Sequence, residues 1–131
     1  MTIPLWCLVI VALLPYVISF SGGYFRMRQF GSLDNKHPRL QQAKMEGTGA
    51  RAMAAQQNAW EALPFFAAAV LVLSLANPEA AKGSTAEWLS LGFLGTRILH
   101  PIVYLANIDA VRSLLFLIGM VCVLGLFWIA V

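Results

Sequence analysis

The sequence predicts an all-α integral membrane protein, folded as one bundle of four helices that each cross the bilayer. Three observations lead there. The 131 residues are 60% hydrophobic and 11% charged, with a mean hydropathy of +0.73, whereas a soluble domain carries about 25% charged residues and needs polar groups to cover its surface. The charges are missing from long stretches, and each stretch approaches the roughly 20 residues a helix needs to span about 30 Å of hydrocarbon. The stretches are also apolar on all sides, unlike the short alternating strands of a membrane barrel. One domain, residues 1–131, accounts for the whole pattern.

The spans fall at about residues 3–25, 51–76, 86–106 and 112–131. The first has no charged residue. It lacks the basic start and short apolar core of a cleaved signal, so it reads as a retained helix. Pro15 is a site for a kink, and Gly22-Gly23 offers close approach to a neighbouring helix. The second span is broken only by Asn58 and Glu61, and Asn77-Pro78 ends it. The third contains Arg97 and His100, with Gly92 and Gly95 as small packing positions. A tight Asn107-Ile108-Asp109-Ala110 connection leads into the uncharged fourth span, where Asp109 can cap the helix or pair with Arg112. Trp6, Trp88 and Trp128 lie near span ends, as interfacial anchors do. Trp60 is expected to face lipid or a neighbouring helix.

Basic residues set the orientation. Arg26, Arg28, Lys36, Arg39, Lys44 and Arg51, six of the nine Lys and Arg residues, lie in or beside the first loop. The second loop holds only Lys82. By the positive-inside rule the first and third loops face the cytoplasm and both termini face outward. The pI of about 9.2 therefore reports topology, and no nucleic-acid partner is expected. Cys7 and Cys122 lie inside apolar spans as small buried hydrophobes, with no metal-ligand spacing. His37 is a solvated loop residue.

The polar residues inside the spans carry the functional signal. Each is costly in hydrocarbon, by roughly 2.5–3.5 kcal/mol on insertion scales. Arg51, Asn58 and Glu61 fall within an arc of about 80° on the second helix, and Arg97, His100 and Tyr104 within about 60° on the third. Running antiparallel, the two stripes place Glu61 and Arg97 at similar depth, then Asn58 and His100, then Arg51 and Tyr104. The result is a polar cleft that opens to the cytoplasm. A purely structural reading has Glu61 and Arg97 pair to lock two helices. A lock needs one acid and one base, yet Arg51, Arg112, Gln56, Asn58, His100 and Tyr104 accompany the pair. The surplus of cations points to an anionic ligand that brings an amine for Glu61.

These motifs resemble the membrane-associated proteins in eicosanoid and glutathione metabolism, the MAPEG family. The resemblance rests on Arg51-Ala-Met-Ala-Ala-Gln56-Gln57-Asn58-Ala-Trp60-Glu61-Ala-Leu-Pro64, on Arg97-Ile-Leu-His100-Pro-Ile-Val-Tyr104, and on Arg112-Ser113. The loop run Leu33-Asp34-Asn35-Lys36-His37-Pro38-Arg39 is similar to a bacterial branch, which implies a bacterial inner membrane. The resemblance implies a homotrimer of four-helix subunits embedded in lipid, with glutathione as co-substrate between subunits on the cytoplasmic side. By position, Gln56, Asn58 and Glu61 would hold its γ-glutamyl end. Arg51, Arg97, His100 and Tyr104 would line the site and meet its carboxylates. Arg112 would act catalytically, stabilising the thiolate, which is the nucleophile. The implied activity is a glutathione transferase or peroxidase acting on lipophilic electrophiles or hydroperoxides.

The sequence also departs from that pattern. Family enzymes carry a second Arg one turn before the Asn, where this chain has Ala54. His100 stands in place of a Tyr, and Pro101 sits where it can bend the third helix and re-aim Tyr104. Arg26, Arg28 and Arg39 are the cations available to replace the missing one. Two other function classes fit parts of the chain. One is a non-enzymatic trimeric subunit of a larger membrane complex, in which Glu61 and Arg97 only lock helices. The other is a small multidrug transporter, against which stand the absence of an acid in the first helix and the strong charge bias of the loops.

Overall fold

A computed structural model describes residues 1–131 as six helical segments. They are α1 (Ile3–Phe30), the short α2 (Pro38–Ala43), α3 (Gly47–Ala76), a 3-10 turn at Ala80–Lys82, α4 (Ser84–Leu105) and α5 (Asp109–Ala130). The four long helices pack side by side. α1 lies chiefly against α3 and α4 chiefly against α5, while α1–α4 and α3–α5 contacts close the circuit.

The helices are longer than the apolar runs suggested. α1 has 28 residues and α3 has 30, or about 42 and 45 Å at 1.5 Å per residue. Both therefore overrun the hydrocarbon thickness at the end nearest the basic loop. Pro15 and Pro101 stay inside continuous helices. α1 stops at Gly31, whose positive φ of 75° suits a residue without Cβ and returns its N–H to the Met27 carbonyl. α3 ends before Asn77-Pro78 as expected. Asn107 takes a positive φ of 60° and makes the tight turn into α5.

α1, α3 and α5 are long and apolar enough to cross a membrane, and the protein is an integral, multi-pass membrane protein. Of the four expected spans, α4 has the length, 22 residues, but Glu87, Arg97 and His100 interrupt it, and it lacks the long apolar stretch found in the other three. Arg97 and His100 turn inward. Thr96, Arg97 and His100 are buried, whereas Leu13, Val17 and Phe20 of α1 and Leu117, Val121 and Leu124 of α5 are exposed. Apolar outside and polar inside is the distribution a bilayer imposes.

The interior has two tiers. The tier far from the basic loop is dry. Cys7 and Val11 of α1, Phe66, Val70 and Leu73 of α3, Phe93 of α4, and Val123 and Leu126 of α5 form one apolar cluster. Phe66 and Phe93 stack at its boundary, centroids 4.2 Å apart and planes 13° off parallel. Trp6, Trp88 and Trp128 stand exposed around this same end, where an aromatic belt belongs. The tier nearest the loop holds the polar side chains. Of the glycines expected at close contacts, Gly22 is covered by the end of the Met53 side chain and Gly92 faces Cys122 Sγ, whereas Gly23 and Gly95 face open space.

The first loop is tied down by side chains. Asp34 Oδ1 accepts from the backbone N–H groups of Lys36 and His37, each at 2.9 Å. Gln41 Oε1 accepts from Arg26 Nε (2.8 Å) and from the Asp34 N–H (3.1 Å), while its amide donates to the Ser32 carbonyl. Gln29 donates to the Lys44 carbonyl and accepts from the Glu46 N–H. The His37 N–H in the first place, and the Lys36 N–H with it, hold the Asp34 carboxylate below the usual carboxylate range.

Two outcomes follow from this packing. Phe66→Ala removes one ring of the stacked pair and should destabilise the protein by about 3–5 kcal/mol, measured by equilibrium unfolding in mixed micelles. Because the Asp34 pKa is lowered on folding, its contribution to loop order is present above the ordinary carboxylate pKa of about 3.9 and is lost as pH falls through the lower, folded value. Asp34→Ala should mimic that loss at neutral pH, speeding tryptic cleavage after Lys36 and Arg39. Cleavage at the wild-type rate would show that the turn does not restrain the loop.

Candidate functional site

The polar tier is organised by Arg97. The residue is 5% exposed, and its guanidinium enters from α4 toward α3. Nη1 donates to Asn58 Oδ1 at 3.1 Å, Nε donates to Thr96 Oγ1 at 3.4 Å, and the cation lies 5.4 Å from the centre of the Phe93 ring. The stripes of the second and third predicted helices therefore do face each other. Gly119 of α5 makes room for this arrangement. A Cβ at that position would stand 3.0 Å from Thr96 Oγ1 and 3.4 Å from Arg97 Nη2.

The lock between Glu61 and Arg97 is not made. Glu61 is exposed, and its Oε1 accepts from Gln57 Nε2 at 3.1 Å, one turn away on the same helix. Arg97 thus has amide and hydroxyl partners but no carboxylate, although an ion inside a bundle is ordinarily paired. Glu61 and Arg97 instead line one cavity of about 330 Å³ with Asn58. Its other walls are mostly apolar: Ala62, Phe65, Phe93, Phe116, Gly119, Met120 and Val123.

A second cavity, of about 380 Å³, shares Asn58 and Phe116 with the first and continues toward the loop end. Here the walls are polar, with His100, Tyr104, Arg112 and Ser113. The Arg112 guanidinium lies over the Tyr104 ring, 4.4 Å from its centre, a cation–π contact. His100 meets the same ring edge-on at 5.7 Å. The tight turn at Asn107 puts Arg112 in the first turn of α5, opposite Tyr104 in the last turn of α4. Asp109 accepts from the Ala110 N–H and does not pair with Arg112.

Six of the eight candidate residues thus share one groove: Asn58, Glu61, Arg97, His100, Tyr104 and Arg112. Two do not. Arg51 is engaged at the loop end, donating to Thr48 Oγ1 (2.9 Å) and to the Leu105 carbonyl (3.4 Å), and so ties the start of α3 to the end of α4. Gln56 lies on another flank of α3, in a separate cavity with Arg39, Gln42 and Trp60. Helical geometry separates Gln56 from Asn58, since two residues along a helix turns the side chain by about 200°. Trp60 packs edge-on against Tyr16 of α1, 5.1 Å between ring centres, in keeping with its expected place against a neighbouring helix. The apolar wall of Phe65, Phe116 and Met120 was missed by a reading that followed polar residues.

Comparison with known proteins now bears on this geometry. The model of the MAPEG family matches residues 3–131. The chain belongs to the MAPEG family. A search of curated proteins gives no match, and a search of solved structures gives none. Membership of MAPEG covers all four long helices and therefore both cavities.

Arg97 and Asn58 give a direct test. Asn58→Leu leaves the buried guanidinium without its acceptor and should cost about 1.5–3 kcal/mol of stability, while Glu61→Gln should leave stability nearly unchanged, because Glu61 has only an exposed partner. Unfolding in mixed micelles measures both. Equal losses in the two variants would mean that Glu61 holds the cation as much as Asn58 does.

Proposed function

We propose that this MAPEG protein binds glutathione in the groove between α3, α4 and α5 and joins its thiol to lipophilic electrophiles, or uses it to reduce lipophilic hydroperoxides. The observation that carries the reading is Arg97, a buried arginine without a carboxylate partner, facing a cavity that also holds Glu61, whose carboxylate meets no cation. A ligand with both carboxylate and ammonium groups satisfies both. Glutathione has these at its γ-glutamyl end, and family membership favours it.

The roles follow from position. Asn58 and Arg97 receive the α-carboxylate and Glu61 the ammonium. His100 and Tyr104 line the path toward the loop end, and Arg112 stands where the thiol is placed. A free thiol ionises near pH 8.5, and a neighbouring guanidinium favours the thiolate. Tyr104 beneath Arg112 holds that guanidinium in place. The thiolate attacks an electrophilic carbon, the C–S bond forms, and the leaving group departs with its electron pair. With a hydroperoxide, sulfur takes the terminal oxygen, the O–O bond breaks and the alcohol leaves. A second glutathione then forms the disulfide and releases water. The apolar wall of Phe65, Phe116 and Met120 suits a co-substrate that arrives from the bilayer.

The same reading places α4 across the membrane with the other three helices. It puts the basic first loop and the Asn107 turn on the cytoplasmic side of a bacterial inner membrane, and both termini outside. It assembles the protein as a homotrimer. Exposed Gln57, Trp60, Glu61 and Phe65 then lie on α3 where a neighbouring subunit can cover them. Gln56 and Arg51, outside the groove of a single chain, take supporting places at its rim.

Calorimetric titration of the purified, detergent-solubilised protein with glutathione should show saturable binding in the millimolar range or tighter. Arg112→Ala should retain binding but lose the ultraviolet absorbance of the bound thiolate and reduce turnover by about 10²-fold or more, the scale of removing one charge-stabilising donor. Absence of any heat of binding at millimolar glutathione would defeat the proposal.

A further inference from the structure

α3 lacks a cation at Ala54, and the structure separates the three arginines able to replace it. Arg26 is buried near the loop end of α1, where its Nε donates to Gln41 and its Nη2 to the Asp34 carbonyl. Arg28 stays on the surface of α1, donating to the Tyr24 hydroxyl from beside that ring. Arg39 alone lines a cavity with Ala54, one of about 400 Å³. Its Nη1 donates to Gln42 Oε1 at 3.2 Å, and the remaining guanidinium N–H groups are free for a ligand.

This cavity adjoins the groove described above. Gln57 lines it and donates to Glu61, which lines the cavity shared with Asn58 and Arg97. The Gln57–Glu61 hydrogen bond therefore runs from a wall of one cavity to a wall of the other. Ala54 stands one turn from Asn58 and within about 40° of it around the helix, and the rise from Glu61 to Ala54 is about 10 Å. A tripeptide whose ammonium end meets Glu61 and which runs along this stripe toward the loop brings its far carboxylate to Ala54. The methyl group there leaves space for a guanidinium delivered from another element. α2 delivers it, and the Gln41 and Asp34 hydrogen bonds hold α2 at that place.

We infer that Arg39, carried by the loop helix α2, binds the glycine carboxylate of glutathione and so determines the ligand selectivity of the site, doing from the loop what a cation on α3 would otherwise do. The inference rests on the glutathione reading. The loop then becomes part of the binding site, since its order sets where the cation stands.

The test is glutathione affinity of the full-length protein in detergent, compared with that of glutathione esterified at the glycine carboxylate. In the wild type, the ester should bind about tenfold more weakly, as loss of one charge-assisted contact implies. Arg39→Ala should weaken glutathione by about the same factor and the ester hardly at all, so that the two ligands become equal. Adding Ala54→Arg to that variant should restore preference for the free acid, because the cation returns to the same cavity. Arg39 is exposed, and an unchanged melting temperature in Arg39→Ala checks that the fold is intact. Two results overturn the inference while leaving the glutathione reading intact: wild-type affinity in Arg39→Ala, or equal weakening of acid and ester. A wild type that binds no glutathione removes the earlier reading and this inference together.

Discussion

The organisation of this protein depends on one constraint: a guanidinium lies inside a bundle of membrane helices and must be satisfied there. Arg97 is buried, so the surrounding residues are arranged to accept its cation. Asn58 supplies an amide oxygen from α3, Thr96 a hydroxyl, Phe93 a ring face, and Gly119 the space that a side chain would fill. Each partner sits on a different helix or turn. The cation therefore fixes how α3, α4 and α5 stand relative to one another as firmly as the apolar core does. Buried polar contacts of this kind define a unique packing when they are fully satisfied. Here the cation keeps open capacity, and that capacity faces a cavity.

Much of this was legible in the sequence because a helix repeats every 3.6 residues. The spacing of Asn58, Glu61, Arg97, His100 and Tyr104 predicted two stripes, and all five line one groove. What spacing cannot tell is which of several polar groups a side chain chooses. Glu61 turns to Gln57 on its own helix, one turn away, and the expected ion pair gives way to an amide–guanidinium contact. Gln56 stands apart from the stripe, because the helical repeat places it well away from Asn58. Boundaries also shifted. α1 and α3 continue past their apolar runs through Arg26 and Ala50, since a helix does not end where hydrophobicity ends but where a capping residue such as Gly31 lets it turn. α4 shows the opposite limit. Arg97 and His100 face inward and lower its hydropathy, so composition alone understates how well it fits among the other three helices.

The first loop was the least legible part. Its charges say little of its order, which depends on uncharged residues as much as on Arg26 and Asp34. Gln29 and Gln41 each act as donor and acceptor at once, reaching backbone groups 7 to 17 residues away in sequence. No periodicity marks such residues. Buried Arg26 looked like one more topogenic charge, yet it is the inner anchor of this network. The loop and the helical site are thereby mechanically joined: α2 packs on α3 through a clasp whose anchor is on α1.

The stacked Phe66–Phe93 pair has a consequence for the membrane as a whole. It stands where the wet tier meets the dry one, with Val70, Leu73, Val123 and Leu126 beyond it. Water that follows a ligand down to Arg97 meets two parallel rings and then a continuous aliphatic plug. A bundle with polar groups at this depth is half of an ion channel. The rings and the aliphatic residues beyond them prevent the other half from forming, so the bundle can hold polar groups at this depth and still seal against ions and protons.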